Sequence, residues 1–189
     1  EQESYSESSE DSSDENTDEL TIAWTSNMGD YSLDPANNYM GWQGSYLGIY
    51  EQLFRVDENF DIQPMLAESA TQVDGTTWEI TIKEGITFQN GDVCDAAAVA
   101  ASLERAASEN PRAKKALDAK QITADGQMLT IATNEPNMDY ISELSEPVFS
   151  IIDVDGSDDP SRPVGTGAYQ IEEVDSSGNV VLRAYENYW

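Results

Sequence analysis

Two Asp-Gly pairs, Asp74-Gly75 and Asp125-Gly126, each lead into an alternating segment. After the first, Trp78, Ile80 and Ile82 alternate with polar residues; after the second, Leu129 and Ile131 do the same. A period of two places one apolar row on one face of a strand, and Asp-Gly supplies the tight turn between antiparallel partners. Further turns at Lys83-Glu84-Gly85 and Gln89-Asn90-Gly91-Asp92 continue the pattern. Residues 66–91 are therefore expected to form an antiparallel meander, with a strand near 127–133 joining or flanking it. A helix is expected between them. Asp95 can accept hydrogen bonds from its first turn, and Val99, Leu103 and Ala106 form its buried stripe. Pro111 ends it, because Asn110 before a proline is pushed from helical angles.

The flanking segments read as mixed structure. Leu20–Ser26 alternates like a strand, and Leu33-Asp34-Pro35 breaks the chain. From Trp42 to Phe54, Tyr46, Ile49, Tyr50 and Leu53 recur at helical spacing, with Gly44 and Gly48 weakening the helix. Pro163-Val164-Gly165-Thr166-Gly167 is a tight turn feeding a strand at Ala168–Val174. Ser177-Gly178-Asn179 then turns into a second strand, Val180–Tyr185. The glycine turn is too short for a dinucleotide site and lacks the Lys-Ser/Thr pair of a phosphate loop. A close backbone turn between segments accounts for it. The class expected from these patterns is compact α/β or α+β.

The chain of 189 residues carries 9 basic and 37 acidic side chains, a net charge of −28. Phosphate binding needs clustered Lys and Arg, so nucleic acid is not an expected partner. There is no histidine and a single cysteine. Those counts exclude Ser-His-Asp and Cys-His catalysis, histidine-ligated metal, a cysteine cage and an internal disulfide. Cys94, at the helix entry with no basic neighbour to lower its pKa, reads as a small buried hydrophobe. Acid pairs such as Asp158-Asp159 and Glu172-Glu173 point to opposite faces of a strand and suit solvated surface. No apolar run is long enough to span a bilayer.

Nine acids and no base fall within residues 1–19, in a Ser-rich context. Such a stretch repels itself and is expected to be a disordered tether. The remainder still holds 28 acids against 9 bases, a balance of −19. The first residue is Glu1, so a processed product is expected, with any targeting segment already removed.

Seven segments match one pattern in order: Leu33-Asp34-Pro35, Ile49–Leu53, Pro64–Ser69, Asp74–Ile82, Phe88–Asp92 with Asp95-Ala96, Pro163–Tyr169, and Glu186–Trp189. Together they resemble the peptide/nickel class (family 5) of extracytoplasmic solute-binding proteins, the receptors of ABC importers. Ala168 stands where that family usually has Pro. The resemblance implies an α/β fold: the N-terminal lobe of a two-lobed periplasmic-binding-protein-like architecture, a mixed sheet carrying an inserted meander-plus-helix subdomain. Residues 20–55 and 163–189 would form the core sheet and 56–162 the insert, with a second lobe expected beyond Trp189. It implies no enzyme activity and no cofactor. The implied partners are a small solute, peptide or metal chelate, and a membrane permease. Membrane attachment would come only through a lost N-terminal anchor, placing a lipoprotein on the extracytoplasmic cell surface.

The expected ligand wall lies between Asn37 and Tyr46. Asn38, Tyr39, Trp42 and Gln43 mix aromatic surface with amide hydrogen-bonding groups, which suits a cleft for polar solutes. The alternative places Trp42 and Tyr46 in the core of a helix face. Nickel-binding relatives have an aromatic where this chain has Asn38, and an arginine after the Leu-x-x-Pro segment, where Leu144-Ser145-Glu146-Pro147 is followed by Val148-Phe149-Ser150. Both differences put an oligopeptide ahead of a nickel chelate as ligand. A surface module binding a protein partner is the alternative of another class. Five of the nine bases, Arg105, Arg112, Lys114, Lys115 and Lys120, fall between 105 and 120. They read as a solvated helix face, with attraction of an anionic ligand group as the second reading.

Overall fold

The computed structural model describes residue 22 and residues 32–159, 161–175 and 177–189. The expected tether and all but one residue of the expected strand at 20–26 lie outside the described residues.

Helix α1 (Met40–Tyr46) opens the described chain. A short hairpin follows, β1 (Phe54–Val56) with β2 (Ile62–Pro64). Next come β3 (Ala67–Gln72), β4 (Thr77–Ile82), α2 (Ala96–Glu109), α3 (Pro111–Leu117), β5 (Ala119–Asp125) and β6 (Met128–Thr133). A short helix α4 (Tyr140–Glu143), a 3₁₀ turn at Pro147–Phe149, and the hairpin β7 (Tyr169–Val174) with β8 (Val180–Ala184) complete it.

The main sheet is antiparallel, in the order β3-β4-β6-β5. Both Asp-Gly turns are built as expected. Asp74 Oδ1 accepts the Thr76 N–H at 2.8 Å and closes the β3–β4 turn. Gly126, at φ +59°, turns β5 into β6, a backbone conformation that glycine adopts without steric cost. The meander differs from expectation in its third strand. Residues 83–95 form a loop closed by a bridge between Thr87 and Val93, and β6 takes the place beside β4. The pairing brings Trp78 opposite Ile131 and Ile80 opposite Leu129, so the apolar rows of both Asp-Gly segments share one face.

Helix α2 covers that face through Val99, Leu103 and Ala106, all buried. Asp95 caps it by accepting from Ala97 N and Ala98 N at 3.0 Å. Pro111 ends α2 as expected, but it also begins α3, where its missing N–H and fixed φ suit the first helical position. Asn110 serves both helices. Its N–H donates to Ala106 O, and its Oδ1 accepts from Arg112 N at 2.9 Å.

The helix expected over 42–54 is corrected. Helix α1 stops at Tyr46 and Gly48 takes φ +69°, so Ile49, Tyr50 and Leu53 continue as a buried, non-helical segment. A run of apolar residues spaced three and four apart was shared between a short helix and an extended crossing. The side of α1 that faces inward is Met40, Gly41 and Gly44. Tyr50 packs its ring against Gly44, and its hydroxyl lies 3.0 and 3.2 Å from the carbonyls of Leu33 and Met40.

Candidate functional site

The loop 34–39 and helix α1 are seated from below by four devices. Asp34 turns the loop by accepting the Ala36 N–H at 2.9 Å, and it holds Arg105 of α2 in a two-pronged ion pair at 2.9 and 2.6 Å. Asn110 donates its amide hydrogens to Ala36 O at 3.0 Å and Asn38 O at 3.3 Å. Gly41 rests on the Pro147 carbonyl so closely that a Cβ would overlap it. Beneath α1, Gln52 Nε2 donates to Ser45 Oγ and Ser150 Oγ at 2.5 and 2.6 Å.

Above this seat the residues expected to form a ligand wall divide. Asn38, at φ +50°, a region asparagine tolerates better than most residues, and Tyr39 line a cavity of about 350 Å³. The cavity is completed by Asp34 and by residues 109–112 at the α2–α3 junction. Trp42 and Gln43 do not line it. Trp42 lies one helical turn on, 44% exposed, its ring 6.2 Å from that of Tyr46, which is 66% exposed. The alternative that Trp42 and Tyr46 belong to the core is therefore overturned. Tyr39, Trp42 and Tyr46 share the outward side of α1 because the inward side is taken by the 3₁₀ turn and the Tyr50 ring. Gln43 is partly buried beside them.

Three residues of this arrangement were not among the expected site residues: Asp34, Asn110 and Arg112. Arg112 places its guanidinium 5.3 Å from the centre of the Tyr39 ring and pairs with Glu146. Its Nη2 is buried with no hydrogen-bond partner among the described residues. The signal in the sequence was the basic stretch 105–120. Lys114, Lys115 and Lys120 are the exposed surface charges expected of it, whereas Arg105 and Arg112 turn inward to the loop.

The chemistry on offer is recognition. Aromatic faces, amides and a guanidinium can hold a polar solute with an acceptor group. Cys94 is fully buried, and its burial, with Asp95, Glu51 and Asp153 nearby, pushes the thiol up to about 12. We expect a thiol reagent to leave the native protein unlabelled at neutral pH and to label it once denatured; rapid native labelling would contradict this burial. Among the described residues no group of three or more His, Cys, Asp or Glu could hold a metal ion, and no helix is long and apolar enough to cross a membrane.

Residues 61–189 match the family model of the bacterial extracellular solute-binding proteins, family 5. The chain belongs to that family. It is similar to the nickel-binding protein NikA of Staphylococcus aureus, 38% identical over 144 residues, covering 76% of this chain and 29% of that protein. It is also similar to the glutathione-binding protein GsiB of Salmonella paratyphi A, 32% identical over 170 residues, covering 84% and 33% respectively. Among solved structures, a nickel ABC transporter protein from Bacillus halodurans superposes with a TM-score of 0.80 at 45% identity, covering 84% of this chain and 34% of that one. The chain thus spans about a third of the length of the relatives it matches. The α/β, periplasmic-binding-protein-like architecture expected from the sequence is the one found.

Proposed function

We propose that this chain forms one wall of the solute site in the binding component of an ABC importer, and that its solute is small and bears a carboxylate. The observation that carries the reading is the cavity lined by Asn38, Tyr39 and Arg112, where a cation stacks on an aromatic ring. Arginine offers carboxylates a planar fork of donors, and a flanking aromatic adds apolar contact at low entropic cost. Trp42 and Gln43 extend the wall along α1. A short peptide fits this chemistry, and peptide capture is the leading reading. A metal chelated by a small carboxylate ligand is the alternative: without histidine, the chain would grip the chelate's organic shell and not the metal. The relatives that bind nickel and glutathione support both members of this solute class. The whole protein would work outside the membrane, delivering solute to a permease; a lipid anchor ahead of residue 1 and a second lobe beyond Trp189 complete the proposed layout.

The test is calorimetry on the full-length protein with glutathione and with nickel(II) in excess L-histidine. One of the two should give saturable heat. Tyr39→Ala and Arg112→Gln should each weaken that binding about tenfold, the scale of one lost charge-assisted contact. Absence of heat with both probes, or unchanged affinity in both variants, would overturn the reading.

A further inference from the structure

The segment that follows α1 carries a buried carboxylate that the solute site does not use. Glu51 is 8% exposed and accepts three hydrogen bonds from two separate stretches of chain. Thr166 Oγ1 donates at 3.0 Å and Trp189 Nε1 at 2.9 Å, both to Oε2. The Tyr188 hydroxyl donates to Oε1 at 2.6 Å. The backbone of the same residue is held too, since Ile151 N donates to Glu51 O at 2.8 Å. One residue on, Gln52 sends its side chain to Ser45 of α1 and to Ser150. The segment 49–53 therefore links two networks. One gathers the glycine turn and the stretch after β8; the other lies directly beneath the aromatic side of α1.

We propose that Glu51 is a positioning residue for solute binding. Its carboxylate clasps Thr166, Tyr188 and Trp189 and so fixes the 49–53 segment on which the Tyr39–Tyr46 wall is seated. The inference rests on the solute-binding reading above. A carboxylate suits the task because two acceptor oxygens can take all three donors at once. The clasp is not there for stability alone. Burial raises the Glu51 carboxyl, and the three donors and Lys83 only partly offset it. A raised carboxyl contributes most to stability below the ordinary carboxyl range, and that contribution declines as pH rises through its folded value. The other titratable or charged groups facing the cluster are Tyr188 itself, Cys94 and, beyond Tyr188, Arg55. Lys83 also sits 4.9 Å from the centre of the Trp189 ring.

The experiment compares Glu51→Ala and Glu51→Gln in the full-length protein, with glutathione and nickel(II)-histidine as probes. Calorimetry is run well below the melting temperature, so only folded protein is read. Glu51→Ala should weaken affinity about tenfold, within the range reached by residues that never touch ligand. Glu51→Gln should restore it. The amide can keep its oxygen on Thr166 and Trp189 and turn its N–H toward the Tyr188 oxygen, and a neutral group there should not lower the melting temperature at neutral pH. A purely structural role would lower the melting temperature of Glu51→Ala and leave the affinity of the folded protein unchanged; that result overturns the proposal. A Gln variant as weak as the Ala variant also overturns it. Amide exchange reads the clasp without solute. In Glu51→Ala the N–H groups of Gly167, Tyr169 and Ile151, which bond the carbonyls of Ile49, Gly48 and Glu51, should exchange faster, with β4 and β6 unchanged. If wild-type protein binds neither probe, the solute-binding reading fails and exchange decides: unchanged amides overturn the clasp, and local acceleration supports it.

Discussion

Gly167→Ala is expected to lower the melting temperature sharply. A Cβ at this position would overlap Gly48 O and lie 2.7 Å from Gly48 C and Ile49 C. Every one of those atoms is backbone, so no flexible side chain can swing away. The two stretches must separate, and that breaks the bonds between them: Gly167 N to Ile49 O and Tyr169 N to Gly48 O, each 3.0 Å. Gln89 would lose its grip as well, because its Nε2 donates to Ile49 O, Gly167 O and Tyr169 O across the same junction. Overpacking costs about 1–3 kcal/mol, and each lost bond adds about 1 kcal/mol. A total of about 3–4 kcal/mol corresponds to roughly 10 °C in a domain of this size. Thermal denaturation followed by circular dichroism measures it. Gly75→Ala is the control: its nearest neighbour would be Pro136 Cβ at 4.0 Å, so its melt should stay near wild type. Equal melts for the two variants would show that the crossing is not tight.

That crossing also marks where the sequence could be read and where it could not. Strands β3, β4 and β6 beside the Asp-Gly turns, the Asp95 cap and the buried stripe of α2 were legible because each is local: a period, a turn pair, a side chain reaching its own backbone. The glycine turn was legible as a close approach, but not what it approaches, since Gly48 and Ile49 lie more than a hundred residues away. Helix α1 was misread for a related reason. Tyr46, Ile49, Tyr50 and Leu53 have helical spacing, yet Gly48 reverses the backbone between them, and the burial of Tyr50 against Gly44 is a tertiary fact. Strand β5 escaped notice because it is a sheet edge, with little apolar alternation to display. In the candidate site, the aromatic and amide residues were visible by type. Asp34, Asn110 and Arg112 were not, because their partners come from the other side of the fold. A charged residue in a basic stretch has the same letter whether it faces water or a partner carboxylate.

Asp34→Ala should show how much of the wall depends on such a distant partner. Asp34 and Arg105 have side chains only 13% and 17% exposed, joined by two short bonds. Removing the carboxylate leaves the guanidinium largely buried without its counter-charge and strips the Ala36 N–H of its acceptor. Breaking a fully buried pair from one side costs about 3–5 kcal/mol, and partial exposure reduces the expected loss here to about 2–3 kcal/mol. Arg183 and Glu172 form the contrast: at 4.0 Å and more than half exposed, their pair should be worth no more than about 0.5 kcal/mol. The double variant Asp34→Ala/Arg105→Ala should lose less than the two single variants added together, since it leaves no orphaned charge. Denaturant melts of the four proteins close that cycle. The functional consequence separates anchoring from mere stability. With Asp34 gone, the turn that presents Asn38 and Tyr39 loses its side-chain tie to α2 through Arg105, so solute affinity of the full-length protein should fall even at temperatures where the variant is folded. Restoring the charge pair in reverse, as Asp34→Arg/Arg105→Asp, should recover stability without recovering affinity, because the arginine can no longer accept the Ala36 N–H that shapes the loop.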